Sequence, residues 1–237
     1  MARPTKKNAR GPRGEQTREK LLEAGRKAFA AKGLGGASLR EDILAPAGLS
    51  AGSFYHQFAD KASLLAEIVR TDGARVIEAM TAAREEHAEL GPVARASAAL
   101  DYFFERAEKN PYFVKIFVRE YYSDSPVVQR EIRRHAENTR AGLRLLYERL
   151  GTVAGTRLDT RSLAVIVSAQ IFSVLNHYVG LSQRERAEAR PVLLRAMMQL
   201  MVGGVLAVKL PDDEATVGQA EVATESAPQR ARGGEST

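Results

Sequence analysis

Serine and histidine are the residues of this chain with the clearest potential for nucleophilic or metal chemistry, because its 237 residues include no cysteine. Residues 48–52, GLSAG, match the G-x-S-x-G pattern of a hydrolase nucleophile elbow, which requires a strand entering the turn. The preceding segment, EDILA, instead has the signals of a capped helix, and Ser50 is suited to cap the next helix. The histidines are scattered, with no pair at metal-ligand spacing: His56, His87, His135 and His177. We therefore expect no enzymatic activity, no metal site and no cofactor.

Basic side chains are concentrated near the N-terminus. The chain carries a formal net charge of +6, and residues 1–61 alone hold 12 basic and 6 acidic side chains. A localised positive excess indicates a polyanionic partner, most often nucleic acid or an anionic membrane surface. A solvated, tag-like arm is the alternative. Residues 1–14 contain prolines, glycines and no large apolar residue after Met1, so they are expected to form a disordered basic arm.

The segment that follows this arm has the start and stop signals of three helices. Apolar spacing predicts the first helix over residues 15–32, ended by Lys32-Gly33. Ser38 and Glu41 form the pattern of a capping box, and Pro46 is expected to stop the second helix and to move Ala45 out of the helical region. The third helix is predicted over residues 51–57, with Ser50 as its N-cap.

Three short helices with a tight glycine turn before the third have the layout of a helix-turn-helix unit. Such a unit places its third helix in the major groove of DNA and needs a small apolar core to hold the helices at a fixed angle. The candidate core residues are Phe29, Leu39, Ile43, Leu49, Phe54 and Phe58.

Residues 17–65 resemble the DNA-binding domain of TetR-type transcriptional regulators. The matching pieces are TREKLL, AF-x-x-KG, D-I before the turn, and AGLS-x-GSFY-x-x-F-x-x-K. The resemblance implies that Ser50, Ser53, Tyr55 and Lys61 contact phosphate or base edges, that Ala51 and Gly52 face the groove, and that Ser38 and Arg40 approach the DNA backbone. Gln57 stands where the family most often has His, so His56 is expected to share that phosphate contact. Ala51 stands where Lys or Arg is frequent, which removes a possible guanine contact.

Two of these assignments have structural alternatives. Tyr55 and Phe54 can both pack the small core, and for Phe54 packing is the expected role. In the arm, Arg10 and Arg13 are the candidates to lie along phosphates or enter the minor groove. The arm can equally act as a non-specific electrostatic tail.

The rest of the chain is predicted to be helical throughout. Asp60 is suited to cap a long fourth helix. Later helices are marked by Pro92, Pro111 and Ser125-Pro126, the last of these reaching Leu150. Asp159 caps an apolar helix over residues 163–179, and Ser182 with Glu185 opens a final helix that ends near Lys209. We expect an all-α fold with a helix-turn-helix DNA-binding domain at 15–61, a helical ligand-binding and dimerisation domain at 62–210, and a disordered acidic tail at 211–237.

The TetR resemblance implies a homodimer formed through the last two long helices, and a small-molecule pocket. The helix over residues 163–179 is apolar all round, which requires burial on several sides, either in a dimer or in an intramolecular core. Aromatic residues cluster between Tyr102 and Tyr122, either as a pocket or as ordinary core. The candidate ligand-binding residues are Phe103, Tyr112, Phe113, Phe117, Arg119, Tyr121, Phe172 and Asn176.

The polar residues of two further segments each have two possible roles. Residues 110–134 faintly resemble TetR-type repressors that sense fatty acyl-CoA, where Arg119, Arg130, Arg133 or Arg134 would meet phosphates. A solvated helix face is the alternative for these arginines. Asn176 and His177 can orient a ligand or bond across the dimer.

Together these observations predict a ligand-responsive homodimeric repressor. It would be released from palindromic double-stranded operator DNA by a small apolar effector, either a fatty acyl-CoA or another hydrophobic or aromatic compound. The absence of a signal sequence and of a membrane-spanning apolar run predicts a cytoplasmic protein without a membrane partner. The rival hypothesis is a helical binding protein whose helix-turn-helix no longer reads sequence.

Overall fold

The computed structural model describes residues 11–87, 89–154 and 158–203, and every regular element in these ranges is helical. The predicted all-α class is confirmed. The expectations for Arg10, for the helix end near Lys209 and for the acidic tail lie outside the described residues. None of the helices in the described ranges is long and apolar enough to cross a membrane.

Helix α1 spans Pro12–Gly36. It starts inside the segment expected to be a disordered arm, with Pro12 in the first turn, where a missing N–H has no cost. Its regular geometry is interrupted at Gly33, which adopts φ 71°, so the helix breaks at the glycine that the sequence indicated. A residue with a side chain would be strained there.

Helix α2 consists of a π-helical turn, Leu39–Leu44, followed directly by an α-helical turn, Ala45–Ala47. The prediction that Pro46 ends the helix and displaces Ala45 is wrong, because Ala45 has helical angles, φ −61° and ψ −49°. Its N–H bonds five residues back, to the Arg40 carbonyl. The wider turn that results leaves room for a proline ring without its usual clash with the preceding turn.

The N-terminus of α2 is capped, but by a different pair from the one predicted. The Ser38 hydroxyl accepts a hydrogen bond from the Glu41 N–H at 3.2 Å, as expected. The reciprocal bond runs from the Ser38 N–H to the Asp42 carboxylate at 2.8 Å, so Glu41 does not complete the box. The wide π turn brings the residue four positions on, rather than three, within reach of Ser38.

Helix α3, Ala51–Gln57, and helix α4, Lys61–Glu86, begin at the predicted caps. The Ser50 hydroxyl accepts from the Ser53 N–H at 3.2 Å. Asp60 and Ser63 form a complete capping box at the start of α4. The turn between α2 and α3 is made by Gly48 at φ 65°, a left-handed angle that glycine adopts without strain.

Five more helices follow in the described ranges, and all of them start where the sequence predicted or within three residues of it. Helix α7 continues past its predicted end at Leu150, and a π-helical turn, Gln199–Gly203, extends α9. The bounds are α5 Pro92–Lys109, α6 Pro111–Arg119, α7 Pro126–Ala154, α8 Thr160–Tyr178 and α9 Gln183–Met198.

Two apolar clusters form the interior. The first joins α1–α4 to buried residues of α6 and α7, including Phe117 and Ile132. In this cluster α1 and α4 approach so closely that a Cβ on Gly25 would lie 2.9 Å from the Ile68 Cδ1. The second cluster joins α5 and α7–α9. We call helices α4–α9 the larger half of the chain. The helix-turn-helix segment therefore shares its core with this larger half.

Candidate nucleic-acid interface

The outer face of α3 carries the residues predicted to enter the major groove. Ser50, Ala51, Gly52 and His56 are exposed, and Tyr55 is 61% exposed. Phe54, beside Tyr55, is fully buried, which confirms its predicted packing role. Because the apolar side of this short helix is turned inward, its polar and small residues face solvent together.

The start of α2 adds an exposed cation next to this face. Arg40 is exposed, whereas Ser38 is partly buried and uses its side chain as a cap. Arg13, in the first turn of α1, is also exposed. Lys32 is paired with Asp42 at 2.6 Å. Within the described residues, neither Arg40 nor Arg13 forms an ion pair, so both side chains are available to a polyanion.

Lys61 and Gln57 have intramolecular partners that the sequence did not indicate. The Lys61 ammonium donates to the backbone carbonyls of Leu34 at 3.1 Å and Ala37 at 2.6 Å. The Gln57 amide donates to the Gly14 carbonyl at 3.3 Å. Lys61 thus ties the start of α4 to the segment after the Gly33 break, and one of its three N–H donors is left for a phosphate.

The serine of the G-x-S-x-G pattern does not have the geometry of a nucleophile elbow. The turn before Ser50 is entered by α2 rather than by a strand, and the Ser50 hydroxyl is engaged with the N–H and hydroxyl of Ser53. Elbow chemistry requires a strained turn above a sheet, so this motif serves as a helix cap.

Comparison with known proteins agrees with this geometry. Residues 21–68 match the family model described as bacterial regulatory proteins, tetR family. The match covers α1 from Leu21, all of α2 and α3, and the start of α4. This segment is a TetR-family DNA-binding domain. It has the helix-turn-helix arrangement of a transcriptional regulator.

Solved structures extend the likeness of this chain beyond the matched segment. A TetR-family regulatory protein from Rhodococcus RHA1 is 23% identical and covers 78% of this chain and 96% of its own, with a TM-score of 0.64. A transcriptional regulator from Rhodococcus sp. Rha1 is 22% identical over 80% and 95%, with a TM-score of 0.63. The fatty acid degradation regulator FadR from Bacillus halodurans is 17% identical over 78% and 98%, also with a TM-score of 0.63. At these identities the likeness shows the fold.

A buried polar network joins the DNA-binding helices to the larger half of the chain. The Asp72 side chain on α4 is fully buried and accepts two hydrogen bonds from the Arg26 guanidinium on α1, at 2.8 and 2.9 Å. The Asn110 amide, which begins α6, donates to Asp72 at 3.0 Å. Sequence reasoning missed this network. Its only signal was an arginine placed among the apolar residues of the first helix, between Leu22 and Phe29.

A second contact joins α6 to the break in α1. The buried Glu120 carboxylate accepts from the Leu34 N–H at 2.8 Å. Arg119, a predicted ligand residue, lies beside this contact, with its Cδ 2.9 Å from the position that a Cβ would take on Gly33. Leu34 is therefore held through its N–H by the larger half and through its carbonyl by Lys61.

The larger half contains a cavity of about 520 Å³ between α4, α5 and α7. This volume lies in the range of small-molecule pockets. Of the eight predicted ligand residues, only Phe103 lines it. The lining is predominantly apolar and includes Ile77, Met80, Ala96, Ala99, Tyr102, Phe103, Leu143 and Leu146.

The other predicted ligand residues do not share one site. Phe117 stacks on Phe172 with ring centroids 4.1 Å apart, and Phe113 packs edge-on against the buried His135. The Tyr121 hydroxyl accepts from Arg140 at 2.7 Å.

Tyr112 is exposed beside a smaller polar cavity. Asn176 and His177 are exposed on α8. The arginines of the faint acyl-CoA resemblance, Arg130, Arg133 and Arg134, are exposed along α7.

Four large apolar side chains are exposed on α8, on α9 and on the π-helical turn that extends α9, and we call them the apolar stripe. Ile166 is 55% exposed and Leu200 is 67% exposed. The other two are Val165 and Val192. These residues explain why α8 reads as apolar all round: one side packs in the second core cluster, and the other lies on the surface of the single chain.

Proposed function

We propose that this TetR-family protein is a ligand-responsive repressor that binds palindromic operator DNA as a homodimer. The observation that carries the proposal is the exposed face of α3, where Ser50, Ala51, Gly52, Tyr55 and His56 stand free of the core. Residues 15–61 would act as the DNA-binding domain and residues 62–210 as the sensing and dimerising domain.

The DNA contacts divide into positioning and base-reading groups. Arg40 and Ser38 at the start of α2, together with Ser50, Ser53 and Lys61, would hold phosphates. Tyr55, His56 and Gln57 extend the contact along α3, and Ala51 with Gly52 lets the helix approach the bases closely. A Cβ added to Gly52 would meet only the Ser50 hydroxyl, at 3.8 Å, so the absence of a side chain there has no packing explanation.

The homodimer would form through α8 and α9. The exposed stripe that contains Val165, Ile166, Val192 and Leu200 is the kind of apolar surface that a monomer rarely leaves uncovered. Two copies related by a twofold axis would bury it in a four-helix bundle. The same axis would place two α3 helices about 34–36 Å apart, one helical turn of DNA.

Ligand response would couple the 520 Å³ cavity to this spacing. The cavity is bordered by α4, whose Asp72 is fixed to α1 by Arg26. A ligand that favours a different position of α4 would therefore shift the DNA-binding helices and release the operator. The predominantly apolar lining supports an apolar effector, and the fold likeness to the fatty acid degradation regulator FadR supports a fatty acyl compound.

DNA binding can be tested by fluorescence anisotropy with duplex DNA taken from upstream of the gene, over a series of salt concentrations. Tyr55→Ala is expected to weaken binding at least ten-fold, the loss of about 1.4 kcal/mol. Arg40→Ala is expected to lower the slope of log affinity against log salt by about one. Tyr122→Ala is the matched control, because Tyr122 is 86% exposed and lies outside the DNA-binding helices.

The result that contradicts the proposal is equally specific. If Tyr55→Ala and Arg40→Ala both bind this DNA with the affinity and salt slope of the Tyr122→Ala control, the exposed face of α3 does not read DNA. The chain would then be a helical binding protein whose helix-turn-helix unit does not read DNA sequence.

A further inference from the structure

The cavity between α4, α5 and α7 has a basic end. The basic residues that line it are His87, Arg95 and Arg149. His87 follows the last turn of α4, Arg95 lies in the first turns of α5, and Arg149 lies near the end of α7. Lining residues from the earlier part of α4 and α7, such as Ile77 and Asn138, belong to the opposite end. The three basic groups therefore share the end nearest the connection between α4 and α5.

Arg95 has no partner of its own at this end. Its Nε is buried and makes no hydrogen bond in the described structure. No ion pair joins Arg95 or Arg149 to any described residue, and no described residue that lines the cavity is acidic. A buried donor on a charged group is costly to leave unsatisfied. A ligand anion is the kind of group that would satisfy it.

The remainder of the cavity is predominantly apolar, and Thr81, Tyr102 and Asn138 are the polar side chains that line it. From Arg95 the lining runs along α5 to Phe103, a distance of roughly 12 Å at 1.5 Å per helical residue. Met80 from α4 and Leu146 from α7 close the sides. A chain of roughly eight to ten carbons spans such a length, because bonds of about 1.5 Å advance somewhat less than that in a zigzag.

We propose that the cavity binds an amphipathic anion, with its acidic head group on Arg95 and Arg149 and its unbranched apolar tail directed toward Phe103. The proposal rests on the ligand response proposed above and specifies the chemical class of the effector. A carboxylate or a phosphate would accept two parallel hydrogen bonds from a guanidinium. The N-terminal end of α5 adds a favourable dipole for the same charge. A neutral compound of equal length would fill the tail region and leave Arg95 unsatisfied.

The test is isothermal titration calorimetry of the full chain at neutral pH with decanoate, decanoyl-CoA and decanol. These three probes share one tail length and differ in the head: a carboxylate, a phosphate-bearing thioester and a neutral hydroxyl. Wild type is expected to bind at least one of the two anions at least ten-fold more tightly than decanol. The anion that binds identifies the source of the head group.

Arg95→Gln is the decisive variant, and Arg130→Gln is its matched control. Arg130 is an exposed arginine on α7 that does not line the cavity. Arg95→Gln is expected to weaken the preferred anion about 10- to 100-fold, the range for a hydrogen bond to a charged group. Its affinity for decanol and its circular dichroism spectrum should remain those of wild type. Arg130→Gln should retain wild-type affinity for all three probes.

Two outcomes overturn the proposal. Either decanol binds wild type as tightly as both anions, or Arg95→Gln keeps the wild-type affinity for the anion. Anisotropy with upstream DNA, run in parallel, separates this failure from that of the proposed function. A protein that binds its DNA and releases it with a neutral apolar compound would keep the regulatory role and refute the anionic head group.

Discussion

Removal of the Arg26 guanidinium should destabilise the protein strongly, because Asp72 has no contact with solvent. Arg26 donates two hydrogen bonds to this carboxylate, at 2.8 and 2.9 Å, and the Asp72 side chain is fully buried. Breaking such a pair from one side leaves an uncompensated charge in the interior and costs about 3–5 kcal/mol. Asn110 still donates at 3.0 Å, and Arg75 lies 3.4 Å away but is exposed. We therefore expect Arg26→Met to lower the free energy of unfolding by about 3 kcal/mol, the lower end of that range.

Lys27→Met supplies the matched control on the next residue of the same helix. Lys27 pairs with Glu23 at 2.9 Å, and the two side chains are 57% and 64% exposed. An exposed pair of this spacing contributes little to stability, because water and salt screen it. The double variant Arg26→Met/Asp72→Leu removes both charges and should be more stable than Arg26→Met alone, because no buried carboxylate remains unpaired.

Urea unfolding followed by far-ultraviolet circular dichroism measures these differences. All variants should be compared at one protein concentration, since the stability of a dimer depends on it. The reasoning is refuted if Arg26→Met loses no more stability than Lys27→Met. It is also refuted if the double variant is less stable than Arg26→Met, because the unpaired charge would then not be the cause.

Two further predictions concern the proposed dimer and the buried histidine. Ile166→Glu should convert the proposed dimer to monomers in size-exclusion chromatography with light scattering, since it places a charge in the apolar stripe; Val127→Glu, on α7, should not. Burial lowers the pKa of His135 to about 4, so the unfolded chain takes up a proton below about pH 6.5 while the folded chain does not. The free energy of unfolding should be fully retained above pH 6.5 and should lose about 3 kcal/mol as the pH falls to 4. His135→Phe should flatten this part of the pH profile in urea titrations, and an unchanged profile would contradict the assignment.

The helix boundaries could be predicted because their signals are local. Ser50 and Asp60 accept from amides three residues away, and Gly33 and Gly48 adopt the left-handed angles that few other residues tolerate. A cap or a glycine break depends on neighbours within one helical turn, so one sequence suffices to locate it. Pro46 was misjudged because the preceding π turn depends on how α2 packs against α1.

The sequence by itself therefore determined the order of the helices, the helix-turn-helix unit and the burial of Phe54, whereas the outward position of Tyr55 came from the structure. Only the tertiary structure decided which distant side chains meet. It gave Lys61 its acceptors at Leu34 and Ala37, and it placed Phe103 at the cavity, apart from the other aromatic residues predicted to bind the ligand. The physical reason is that a charged or aromatic side chain looks alike in sequence whether it lies in solvent, in a packed core or at a cavity. Its partners come from helices far apart in the chain, and packing alone brings them together.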